Sequence, residues 1–125
     1  MNREVAIDSA RAQIELRLVG LVGGAEFAWG IQQIESACRQ QRVENAVWDL
    51  RKADLSQLSF AVIRGTVEDW PSPALPDDAR IAVVAGGELD QILLQLWREA
   101  GYHRDKRQRQ IFLNIEQARA WAAGE

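Results

Sequence analysis

A chain of 125 residues with 47% apolar content can bury a core, and its length fits one domain. The net charge of −3 and a pI near 5.2 provide no broad basic face, so nucleic acid is not an expected partner. Cys38 is the single cysteine, which excludes an intramolecular disulfide, and Met1-Asn2-Arg3-Glu4 leads into no apolar leader segment. A cytoplasmic protein is expected. Apolar runs such as Ile81 to Ala85 fall far short of the roughly 20 residues a membrane-spanning helix needs.

The first elements read as strands. Val5 and Ile7 alternate with polar neighbours, as do Ile14, Leu16 and Leu18, with Asp8-Ser9-Ala10 as the turn of a hairpin. Period-two alternation gives the second strand a polar face, so part of the sheet should be solvated on one side and helices should lie mainly on the other. Gly20, Gly23 and Gly24 mark a turn. Phe27, Ile31, Ile34 and Cys38 then recur at helical spacing, predicting a helix from about Ala25 to Gln41 with Cys38 on its buried stripe.

Asn45-Ala46-Val47-Trp48-Asp49-Leu50 is apolar until Asp49, which falls where a buried strand would emerge at its carboxyl end. Asp54 and Gln57 have capping-box spacing and predict a second helix, with Ser56 and Ser59 near its start. Pro71, Pro73 and Pro76 stop that helix by Trp70. Arg80 to Ala85 reads as a central strand covered on both faces. Leu89, Ile92, Leu93, Leu96, Trp97 and Ala100 follow the three-and-four spacing of a third helix ending at Gly101. After a basic loop containing His103, Gln110 to Leu113 forms the last strand, and Asn114 with Gln117 caps a final helix running to Gly124. The expected fold is α/β, a mixed sheet in one domain with the order β-β-α-β-α-β-α-β-α.

That order resembles the SpoIIAA-like group, relatives of the STAS domain. The likeness is carried by Ala46-Val47-Trp48-Asp49-Leu50-Arg51 after the first helix and by the closing Ile111-Phe112-Leu113-Asn114-Ile115-Glu116-Gln117-Ala118-Arg119-Ala120-Trp121. It implies a STAS-like sheet and a signalling protein that a partner kinase can switch at a serine opening the second helix. Ser56 and Ser59 are the candidates for that phosphorylation, although the family's Asp-Ser-Ser-Gly signature is absent. The fold also resembles lipid-binding CRAL-TRIO domains, which implies an alternative: a carrier of a small hydrophobic or lipid-like ligand.

No spacing identifies a reaction. One histidine and one cysteine cannot make a zinc set without carboxylates, none of which stands at a telling spacing, so no metal and no cofactor are expected. Neither glycine cluster matches a dinucleotide fingerprint or a P-loop. Asp49 has a structural reading, as acceptor for backbone N–H groups of the next turn, and a functional one at a sheet edge where ligands often meet α/β proteins. The expected function is therefore non-enzymatic: a module binding a protein partner through Asp49, Asp54, Ser56, Ser59 and Phe60. The carrier alternative would line an apolar groove between the second and third helices with Phe60, Ile63, Trp70, Leu94 and Trp97. A homodimer remains open.

Overall fold

In the computed structural model, residues 3–57, 75–88, 90–92, 94–95, 98 and 107–125 are described. The strands are β1 (Arg3–Asp8), β2 (Gln13–Leu18), β3 (Gly20–Leu21), β4 (Asn45–Leu50), β5 (Ala53–Asp54), β6 (Arg80–Ala85) and β7 (Gln108–Phe112). Helix α1 is Gly24–Gln40. Helical residues 88, 90–92, 94, 95 and 98 form α2, and Ile115–Ala122 form α3. β1 to β2 is the expected hairpin, its turn held by Asp8, whose Oδ1 accepts the N–H groups of Ala10 and Arg11 at 3.1 and 3.3 Å.

Five strands form a mixed sheet in the order β1-β2-β4-β6-β7. Only the β1–β2 pair is antiparallel. Gly20, at φ +86°, breaks β2 from β3, and β3 pairs in parallel with β5 in a separate two-stranded ladder. The left-handed conformation suits glycine, which has no Cβ to collide with its carbonyl.

The register places Ile14, Leu16 and Leu18 on one face with Ala46, Trp48 and Leu50 and with Ile81, Val83 and Ala85. This is the main core. Helix α1 covers it with Ile34 and Ala37 buried and Phe27, Ile31 and Cys38 partly buried against them. α1 approaches closely because Gly30 lies on the Trp48 indole, where an added Cβ would stand 2.3 Å from a ring carbon.

Of the described helices, α1 and, through Leu94, α2 lie on the main-core face, in keeping with helices mainly on one face, but the other face is not left open. The opposite face carries a second cluster in which Val47, Ala82 and Val84 meet Ala118 and Ala122 of α3, with Phe112 and Trp121 beside them. The alternation that suggested an open face belongs to β2 alone; β4 and β6 are apolar on both faces and need two covers. α3 begins as expected, Asn114 Oδ1 accepting the Gln117 N–H at 3.0 Å.

In α2, Leu94 is buried in the main core while Ile92 is exposed, so Ile92 does not belong to the inward stripe. Apolar residues occupy so many of positions 89 to 97 that spacing alone did not select the face. Among the described residues no helix is long and apolar enough to cross a membrane.

Candidate functional site

The four parallel strands give the sheet two unlike ends. At the amino end, Gln13 Nε2 donates to Asn45 Oδ1 at 2.7 Å and to the Arg119 carbonyl at 2.9 Å. Asn45 Nδ2 donates to the carbonyls of Arg11 and Ala12. Arg80 reaches the Trp121 carbonyl at 3.0 Å and lies over its indole. Arg107 donates to the Leu75 and Pro76 carbonyls, and Arg11 makes a two-pronged bond to Glu125. Each tie joins parts of the chain distant in sequence.

At the carboxyl end, Asp49 is only 2% exposed. Arg51 Nε and Nη2 donate to its Oδ1 and Oδ2 at 2.9 and 2.8 Å, and the Arg51 backbone N–H adds a 3.2 Å bond to Oδ1. Arg17 Nε stands 3.6 Å away. Burial pushes the Asp49 carboxyl up, but the Arg51 hydrogen bonds and the charges of Arg51 and Arg17 together hold it below the ordinary value. Asp49 is thus a carboxylate at neutral pH with both oxygens engaged, which suits it to fastening a turn and leaves it no proton to donate. Gly86 completes the fastening, since a Cβ there would stand 2.5 Å from the Arg51 carbonyl oxygen.

This locked turn presents the short β3–β5 ladder. Leu21 is 59% exposed and lies in register with Asp54. Asp54 Oδ1 accepts the Ser56 N–H at 3.0 Å, and hydrogen bonds from the Ser56 hydroxyl and backbone hold its carboxyl down. Leu113, 49% exposed, follows the end of β7. At this end Leu21 therefore faces solvent beside an Asx turn carrying an accessible hydroxyl.

Of the residues proposed from sequence, Asp49, Asp54 and Ser56 lie on the β4–β5 segment at this end. Ser59, Phe60, Ile63, Trp70 and Trp97 lie outside the described residues, as do Leu89, Leu93 and His103. Leu94 belongs to the main core, so it lines no open groove. Asp54 closes β5 instead of capping a helix at once, because Leu55 turns into the core and Ser56 and Gln57 form a turn. β3 and exposed Leu21 were missed. The turn expected from Gly20, Gly23 and Gly24 begins later, because the aliphatics flanking Gly20 in Val19-Gly20-Leu21-Val22 make a short extended piece.

A charged network on the α3 side of the sheet also went unread. Arg119 of α3 makes a two-pronged bond to Glu15 at 2.7 and 3.0 Å and bonds Glu116 at 2.9 Å, while Arg17 stands 3.6 Å from Glu4. Cys38 packs against the core and burial pushes its thiol up, away from the thiolate a nucleophile needs. Among the described residues no group of three or more His, Cys, Asp or Glu could hold a metal ion. In comparisons with known proteins, no family model and no curated protein matches the chain.

Proposed function

We propose that this chain is a non-enzymatic, STAS-like interaction module whose partner docks at the carboxyl ends of the parallel strands. The observation that carries this reading is the exposed pair of Leu21 and Asp54 in register, held over a turn fastened by Asp49 and Arg51. A solvent-facing leucine beside a carboxylate on a rigid ladder offers a partner both area and orientation. Ser56 supplies a switch. A phosphate adds about −1.5 to −2 charges at neutral pH, and on Ser56 it would stand beside the Asp54 carboxylate. Repulsion would open the Asx turn and withdraw Leu21 from its docking position.

A photo-crosslinking residue placed at Leu21, at Leu113 and, as control, at Arg42 tests the proposal in cells. The expected result is one heterologous protein adduct from the first two positions and none from Arg42, weakened by Ser56→Asp. Equal adducts from Arg42 would sink it. So would native mass spectrometry showing a tightly held apolar small molecule and no protein adduct, an outcome that supports the carrier.

A further inference from the structure

We infer that the outer edge of β1 is a second docking surface, built to accept an extended segment that alternates basic and apolar residues as an added strand. All six residues of β1 are exposed, and among the described residues β1 pairs only with β2. The strand contains no proline. Its outward N–H and C=O groups form a row that a further strand can pair with.

The side chains state what that strand should be. Arg3, Val5 and Ile7 pair with Leu18, Leu16 and Ile14 and share the main-core face; Glu4, Ala6 and Asp8 share the other with Arg17, Glu15 and Gln13. Val5 and Ile7 are 44% and 37% exposed, apolar positions that this chain's described residues leave half covered. The Arg3 guanidinium lies over the Trp29 ring at 5.2 Å, which turns it toward α1. What remains along the edge is two half-covered aliphatics on one face and two exposed carboxylates on the other: Glu4, which Arg17 meets from the β2 side at 3.6 Å, and Asp8, whose Oδ1 holds the hairpin turn and whose Oδ2 is a further acceptor.

A second copy of this chain fits poorly. A twofold pair that continues the sheet must run antiparallel with like faces aligned, so residues of the same parity oppose one another. Centred on Glu4, Val5 or Ala6, such a pair sets Glu4 opposite Glu4, diagonal to Glu4 and Asp8, or opposite Asp8. Every register gathers carboxylates on one face, which is destabilising. Lysine or arginine at alternate positions of a foreign strand would meet Glu4 and Asp8 instead, with aliphatic residues between them over Val5 and Ile7.

The test titrates the isotope-labelled full chain with a short synthetic peptide alternating lysine and valine, following amide shifts and hydrogen exchange, with a glutamate-for-lysine peptide as control. Shifts and protection should concentrate between Arg3 and Asp8, and the control peptide should not bind. Glu4→Lys, an exposed change that spares the Asp8 turn, should weaken the lysine peptide about fivefold or more and let the glutamate peptide bind. Three results would overturn the inference: lysine-peptide binding indifferent to Glu4→Lys, protection arising elsewhere, or free protein that sediments as a dimer with β1 amides already protected.

Discussion

The two ends of the parallel sheet are closed by different means. At the amino end, Gln13, Asn45, Arg80, Arg107 and Arg11 reach to carbonyls and carboxylates far along the chain. At the carboxyl end, Asp49 takes its hydrogen bonds from Arg51, two residues away, with Arg17 of β2 standing 3.6 Å off. Ties between distant segments make the amino end part of the global fold, so it opens only when the whole domain opens. A side-chain tie within one turn fixes that turn, and the β3–β5 ladder beside it, held by backbone bonds such as Val22 N–H to the Asp54 carbonyl, carries the exposed Leu21. The difference marks one end as scaffold and the other as the place where function can vary.

Asn45→Ala is the strongest test of the contrast. It removes a buried amide, takes one of two acceptors from the Gln13 side chain and the Asn45 donor from the Arg11 carbonyl, at a cost of about 2–3 kcal/mol, with urea denaturation as the measurement. A loss below about 1 kcal/mol would mean the amino-end ties are not structural. Gly86→Ala, at the other end, drives a Cβ against the Arg51 carbonyl and should cost about 2 kcal/mol by overpacking. Its loss should be joined by altered amide shifts between Arg51 and Asp54, and unchanged shifts there would separate Gly86 from the turn.

Asp49→Asn should cost about 1 to 2 kcal/mol at neutral pH, because Arg51 keeps partial access to water when the carboxylate is lost. The sign with pH follows from the lowered folded-state value of Asp49. The wild-type advantage should be complete above the unfolded carboxyl value of about 4 and decline as pH falls through the lower folded value. An advantage that grew on acidification would contradict the pairing with Arg51. Leu21→Ser should change stability by about half a kcal/mol or less while abolishing the crosslinked adduct. A larger destabilisation would move Leu21 from docking surface to structure.

Much of this fold was legible because period and capping were strong. Phe27, Ile31, Ile34 and Cys38 gave α1 to within a residue, and Asn114 with Gln117 gave the start of α3. The reading of Asp49 as an acceptor for the following turn found the Arg51 N–H; the same residue's side-chain grip was not visible, since nothing in sequence shows that an arginine will fold back two positions. Ile92 was misplaced because a helix with apolar residues around most of its circumference has no single favoured phase. The β3–β5 ladder was hidden by brevity, its four residues being held by strands that precede them. The Glu15–Arg119 pair spans residues 104 apart, a distance over which local pattern carries no information.

One residue of the hairpin bears on how the protein reaches this structure. Ala12 sits at φ +50°, a left-handed conformation that costs a residue with a Cβ roughly 1–2 kcal/mol. Its carbonyl accepts the backbone N–H groups of Glu44 and Asn45 at 2.7 and 3.3 Å and the Asn45 side chain at 3.2 Å. All three donors arrive with β4, so the compensation for this turn is delivered by a segment more than thirty residues away. The β1–β2 hairpin is therefore a poor autonomous nucleus, and the closing of the α1 loop must precede its completion. Ala12→Gly, which relieves the turn before β4 docks, should accelerate refolding in stopped-flow experiments and leave the unfolding rate nearly unchanged.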